Sequence, residues 1–173
     1  MFGEVGMIIG QILSIIAVIL GFITFQMKTA KWILIFQIMS AALFAAHYLL
    51  IGAPIAMALN ILAVIECICY YFRLKKGGKG LFLPIFFAVL VLVISILTWD
   101  SWYSIFIMVG LVICAINLSL SDAQTIRKLN LIKTPLCFAY NLCVLSAGGM
   151  IFEFLSFVSS LIGIIKYRKN RSI

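Results

Sequence analysis

The sequence predicts an all-α membrane protein with seven transmembrane helices, and three observations carry that prediction. The 173 residues are 65% hydrophobic and only 10% charged, with a mean hydropathy of +1.26. Ordinary globular chains carry roughly 25% charged residues. The apolar residues gather into unbroken runs near the ~20 residues a helix needs to cross the hydrocarbon core. The basic residues fall in alternate loops between those runs. A surface this apolar aggregates in water but is solvated by lipid, where only helices and closed barrels satisfy their own backbone. Barrel strands alternate apolar and polar side chains over about ten positions, so the long runs select helices.

Each span follows from its boundaries. The first runs from Val5 to Met27 and stops at Lys28. The second runs from Lys31 to Ile51 and stops at Gly52-Ala53-Pro54. Proline suits the first turn of a helix, where its missing N–H is no loss, so the third starts at Pro54 and continues to Phe72. Arg73 to Lys79, with Gly77-Gly78 inside it, reads as a linker. The fourth spans Gly80 to Trp99, with Pro84 in its first turn, and the fifth Ser101 to Leu120. Ser121-Asp122-Ala123-Gln124 has the pattern of a capping box. A sixth helix then starts near Asp122, reaches membrane depth near Leu131, ends at Ala147 and carries a kink at Pro135. Gly148-Gly149 reads as a turn, and the seventh covers Met150 to Tyr167.

Charge placement fixes an orientation. Lys28 and Lys31 lie between spans one and two; Arg73, Lys75, Lys76 and Lys79 between three and four. Arg127, Lys128 and Lys133 lie at the start of span six, and Lys166, Arg168, Lys169 and Arg171 at the end of the chain. All 13 basic residues thus fall on one side, and the opposite loops carry only Glu4 and Asp100. The positive-inside rule places that side in the cytoplasm, which puts the N-terminus outside and the C-terminus inside. Trp99, Trp102 and Tyr103 outside, with Trp32, Tyr70, Tyr71 and Tyr167 inside, fit interfacial aromatic belts. The net charge of +8 is accounted for by this sorting, with no nucleic-acid partner. No cleavable signal peptide is expected, because Glu4 stands where a basic n-region would be.

An odd number of spans suggests a 3+1+3 plan of two parallel repeats. The expected units are 1–76, a linker helix 77–100, and 101–173. Sliding the chain by 96 residues brings Lys31 onto Arg127, Leu49 onto Leu145, Gly52 onto Gly148, Leu59 onto Leu155 and Arg73 onto Lys169.

Polar residues at membrane depth face a bundle interior or a cavity. Gln37, Ser40 and His47 share a face of span two; Asn130, Thr134, Cys137 and Asn141 share one of span six; Glu153, Ser156, Ser160 and Gly163 share one of span seven. Asn60, Asn141, Ser156, Glu153, Gln37 and His47 are the candidate contacts for a small-molecule substrate. Helix-to-helix hydrogen bonding is the competing account of the same stripes. Glu66 shares a face with Tyr70 and Arg73 and is placed to reach toward the cytoplasm and pair there. Glu153 stands in the favourable field of a helix N-terminus. Cys67, Cys69, Cys114, Cys137 and Cys143 all lie in apolar runs, without zinc-ligand or CxxC spacing. No disulfide, metal or other cofactor is expected. No hydrolase, metalloprotease or nucleotide motif is present and His47 is the sole histidine, so the expectation is not an enzyme. The expected partners are the lipid bilayer and a small solute, and a homo-oligomer is compatible with the sequence.

Tyr140-Asn141 through Ser146, Gly148-Gly149, Glu153, Ser159, Gly163 and Tyr167-Arg168 resemble the end of the YgjV-type bacterial inner membrane proteins. The Gly52 turn followed by Asn60 and Arg73 is similar to that family's first half. The resemblance covers most of the chain. It implies an inner-membrane location and, through the grouping of that family with SWEET, SemiSWEET and PQ-loop proteins, a SWEET-like pair of three-helix bundles joined by an inversion helix. SWEET-like sugar transporters and the similarly built nicotinamide riboside transporters imply solute movement through a central cavity. In SWEET proteins an asparagine on the third helix of each bundle contacts substrate. Asn60 matches the first, while Ser156 stands at the second. The Pro-Gln hinge of PQ-loop proteins is replaced by Phe25-Gln26. The alternative is a non-transporting membrane scaffold or sensor with a dry polar core.

Overall fold

The computed structural model describes residues 3–24, 30–76, 80, 82–117 and 123–168. They form seven helices: α1 (Gly3–Thr24), α2 (Ala30–Ile51), α3 (Pro54–Lys75), α4 (Phe82–Leu97), α5 (Ser104–Asn117), α6 (Ala123–Cys143) and α7 (Ala147–Arg168). Lys28, Phe25-Gln26, Gly77-Gly78, Lys79, Ser121-Asp122, Lys169 and Arg171 lie outside the described residues. Among the seven, α1, α2, α3 and α7 are long and apolar enough to cross a membrane. The apolar helices α4 and α5 are shorter, at 16 and 14 residues, which is about 24 and 21 Å of rise. The start of α5 is set back from Ser101 to Ser104, whose N–H donates to the Ser101 carbonyl and whose hydroxyl donates to Asp100 at 2.5 Å. Helix α6 runs through Pro135 and is diluted by Arg127, Lys128, Asn130 and Lys133.

Consecutive helices run antiparallel. The Ser40 hydroxyl on α2 donates to the Ala17 carbonyl on α1, and His47 meets Gly10. On the last hairpin Asn130 of α6 meets Ser160 of α7, and Lys133 meets Glu153. α1 lies against both α2 and α7; the chain of neighbours continues α2–α3, α3–α5, α5–α6 and α6–α7, so six helices close a ring. α4 stands outside it, packed on α5 and α3. Because the helices alternate in direction, Lys31, Arg73, Lys75, Lys76, Arg127, Lys128 and Lys166 gather at one end of the bundle. The starts of α1, α3, α5 and α7 gather at the other.

The burial pattern is inverted relative to a water-soluble fold. Val5, Ile8, Ile12, Phe82, Ile96 and Ile165 are exposed, whereas Ser14, Ser40, His47, Thr134, Asn141 and Ser146 are buried. Lipid accepts the apolar exterior, and the interior is packed around Ala17, Phe44, Ile55, Leu59, Phe87 and Tyr140.

The two hairpins α2–α3 and α6–α7 turn in the same way. In the first, the Ala53 N–H donates to the Tyr48 carbonyl and the Gly52 N–H to Leu49, with Gly52 at φ 75°. In the second, Ser146 N–H donates to Asn141 and Leu145 N–H to Leu142, with Leu145 at φ 54°. Both are Schellman caps. Gly52 supplies the left-handed residue without a Cβ penalty, and Leu145 takes the same conformation against its preference. The equivalent residues are therefore 93 apart, Gly52 with Leu145, rather than 96. Other contacts share that spacing. Gln37 with Cys67 in the first half corresponds to Asn130 with Ser160 in the second. Gly10 against His47 corresponds to Tyr103 against Tyr140.

Gly148-Gly149 differs from its sequence expectation. The pair lies inside the first turn of α7, and the chain reverses earlier, at Val144–Leu145. Gly148 is where α1 comes closest: a Cβ there would collide with the side chain and backbone of Ser14. One on Gly149 would collide with Asn141. The two glycines are contact points between helices.

Candidate functional site

Polar side chains form two tiers inside the ring. The upper tier lies just beneath the two hairpin turns, at the end away from the basic residues. His47, on the last turn of α2, is fully buried. Its Nδ1 stands 2.8 Å from the Gly10 carbonyl and its Nε2 2.7 Å from the Ser146 hydroxyl. A carbonyl only accepts, so Nδ1 carries the proton; in the neutral ring Nε2 then accepts the Ser146 O–H. Ser146 is the N-cap of α7: its hydroxyl oxygen accepts the Gly149 N–H at 3.2 Å. Beside it the Tyr48 hydroxyl donates to Asn141 Oδ1 at 2.5 Å, so the C-terminal turns of α2 and α6 are bonded to each other. Gln11 of α1 binds the same turn twice, donating to the Leu145 carbonyl and accepting the Ala147 N–H.

The lower tier is an ion pair. Lys133 Nζ and Glu153 Oε1 are 3.2 Å apart, with side chains only 10% and 9% exposed. Lys133 is eight residues before Asn141 on α6, about 12 Å deeper. The second carboxylate oxygen of Glu153 is buried with no hydrogen-bond partner among the described residues.

The candidate residues therefore separate. His47 and Asn141 are in the upper tier, and Glu153 is in the lower one. Ser156 is buried one turn further along α7. Asn60 is half-buried, and its amide donates back to the Ala56 carbonyl of its own helix at 2.8 Å. Gln37 is half-buried and accepts from Cys67 Sγ at 3.9 Å, toward the basic end. With the 93-residue spacing, Asn60 and Glu153 occupy equivalent positions on α3 and α7, as do Ser40 and Lys133 on α2 and α6. Sequence reasoning grouped Lys133 with the loop cations. Its flanks, Leu131-Ile132 and Pro135-Leu136, carried the signal that it is buried in the bundle. Tyr48, Ser146 and Gln11 were missed because neither hydroxyls nor a lone amide near a helix end stand out from ordinary packing groups.

A pocket of about 250 Å³ opens at the same end as the upper tier, lined by Met7, Gln11, Ile51, Gly52, Tyr103 and the Cys143–Leu145 segment. Ile51-Gly52 and Val144-Leu145 are the corresponding residues of the two hairpin turns, so both turns line the pocket. No charged side chain lines it. Among the described residues no cluster of His, Cys, Asp and Glu has the makings of a metal site, and the five cysteines are free.

Residues 8–171 match the family model Imp-YgjV, described as bacterial inner membrane protein. No curated protein and no solved structure matches the chain.

Proposed function

The chain belongs to the YgjV family of bacterial inner membrane proteins, and on that premise we propose that it is a small-solute transporter or facilitator, and not an enzyme. Its working parts are two three-helix bundles, α1–α3 and α5–α7, with α4 as the linker helix between them in a SWEET-like 3+1+3 plan. All seven helices are spans in this reading. α4 and α5 cross by thinning the bilayer locally, and α6 crosses because its inward face carries its polar residues. The basic end faces the cytoplasm, so the N-terminus is outside and the C-terminus inside.

One observation carries the reading: the pocket is lined by the equivalent turns of both halves. A vestibule on the axis that relates two bundles is where relative rocking opens and closes a path. Its uncharged lining, with Gln11 and Tyr103 as hydrogen-bonding groups, suits a neutral solute. Beneath it the path runs past Tyr48 and Asn141 toward Glu153, Ser156 and Asn60, with His47 and Gln37 as flanking groups. The Tyr48–Asn141 bond then acts as a latch between the bundles.

Flux of a panel of labelled sugars, nucleosides and amino acids into proteoliposomes tests this. Wild type is expected to move at least one, and Met7→Trp, which fills the vestibule, to lose flux while unfolding at the same temperature. Absence of flux and of ligand-induced thermal shifts across the panel would overturn it.

The non-transporting scaffold draws support from the same bonds. His47, Tyr48, Asn141 and Ser146 are all bonded to protein groups, as interlocking polar seams in a dry core would be. In that case Asn141→Ala lowers stability and changes no flux.

A further inference from the structure

The two intramembrane carboxylates are treated differently by the fold. Glu153 has Lys133 beside it. Glu66, on α3 in the half of the bundle nearer the basic end, is equally buried at 7% exposure. Its Oε1 has no hydrogen-bond partner among the described residues, and it forms no ion pair there. Arg73 stands two turns along the same helix. That guanidinium lies 5.6 Å from the Tyr70 ring centroid and donates to the Gly80 carbonyl at 2.8 Å. The sequence expectation of a Glu66 side chain reaching a cytoplasmic partner is thus not what the fold builds.

Among the described residues, the remaining polar groups around Glu66 supply no cation. On α3 stand Cys67 and Tyr70, and from α5 comes Cys114, all within electrostatic reach. Helix α4 brings no titratable side chain among its residues. From α2 the nearest polar group is Gln37, held to Cys67. Lys133 of α6 is within reach of Cys114 but is already paired with Glu153. The Tyr70 hydroxyl and Asn117 Oδ1, on the turns next toward the basic end, are likewise buried without hydrogen-bond partners among the described residues. Packing alone does not require an acid here: the equivalent position in the second half, 93 residues on, is an exposed serine, Ser159. An uncompensated carboxylate at membrane depth is disfavoured strongly enough that such groups mark proton and ion pathways. Among the described residues no positive charge is placed to neutralise it, and a proton from solution is the simplest way to do so.

We propose that Glu66 is a proton-carrying acid, protonated in this conformation and ionised when the basic end of the bundle opens. On opening, the carboxyl O–H bond breaks, its electron pair stays on the carboxylate, and the proton passes to water. Reclosure then requires a proton to return. Given the transporter reading above, on which this role rests, Glu66 couples solute movement to the proton gradient.

Infrared spectroscopy of the full chain in lipid nanodiscs at pH 7 tests the proton directly and needs no substrate. The expected result is a protonated-carboxyl C=O band that shifts in D2O, disappears in Glu66→Gln and persists in Glu153→Gln. Glu66→Asp keeps a displaced band, so a failure of the glutamine variant to fold leaves the test intact. Absence of the band, or its survival in Glu66→Gln, would overturn the proposal. So would a band that appears only when sodium and potassium are replaced by a large organic cation, which would make Glu66 a metal-cation ligand. Failure of the uptake panel with the band present removes the transport role and leaves the buried proton standing.

Discussion

Removing one partner of the Lys133–Glu153 pair is predicted to cost far more than removing both. At 3.2 Å and an effective dielectric of about 20, the attraction between the two charges is about 5 kcal/mol. That is set against the desolvation of two groups that are each only about a tenth exposed. Glu153→Gln keeps the shape but leaves the Lys133 ammonium buried without a counter-charge, and is predicted to lose about 3–5 kcal/mol. Lys133→Met is predicted to lose less, because the carboxyl left behind can take up a proton and become neutral. The double variant removes both charges and is predicted to return to within about 1–2 kcal/mol of wild type. Equilibrium unfolding in mixed micelles, run as a double-mutant cycle, measures the coupling. If the two single losses simply add, within about 0.5 kcal/mol, the groups are not a buried ion pair and the lower tier is wrongly drawn.

Gly148→Ala is predicted to destabilise by about 1–3 kcal/mol, since the new methyl meets both the side chain and the backbone of Ser14. Gly21→Ala is predicted to cost less, because what it meets is the ring edge of Phe152 and the Ser40 hydroxyl, both of which can shift; thermal midpoints rank the two. Ser146→Ala removes the α7 N-cap and the partner of His47 together, with a predicted loss of about 1–2 kcal/mol. Tyr48→Phe strands the Asn141 carbonyl oxygen and is predicted to cost about 1–3 kcal/mol; in a transporter it also changes the rate of flux, whereas in a scaffold only the unfolding free energy moves.

Seven helices were legible from the apolar runs and their Gly, Pro and charged boundaries; the rule that lipid imposes, an apolar run of fixed length, is met in full by α1, α2, α3 and α7. Pro54 fixed the start of α3 to the residue, and Gly52 the turn before it. The second hairpin was misjudged by three to four residues for an identifiable reason. A Gly-Gly pair is the strongest local turn signal, and nothing local reveals that Leu145 will take a positive φ while the glycines serve a close approach to Ser14. The same error set the repeat spacing at 96, where the bonded pairs Gln37–Cys67 and Asn130–Ser160 give 93. With the corrected spacing, Asn60 aligns with Glu153 instead of Ser156. The upper tier was half visible: His47 and Asn141 stood out as polar groups in apolar runs, but Tyr48, Gln11 and Ser146 become polar partners only through contacts between distant helices. Asn60 shows the limit of reading side chains by type. Its amide bonds its own helix, a choice made by local rotamer geometry that composition does not encode.

Cys143 offers the most direct test of the membrane arrangement on which the transport account depends. It lines the vestibule and is exposed, whereas Cys67 and Cys137 are buried and Cys69 and Cys114 partly so. In intact cells expressing a variant whose only cysteine is Cys143, a membrane-impermeant maleimide added from outside is predicted to label the protein. Labelling confined to inside-out vesicles would put the vestibule, and with it the whole bundle, the other way up.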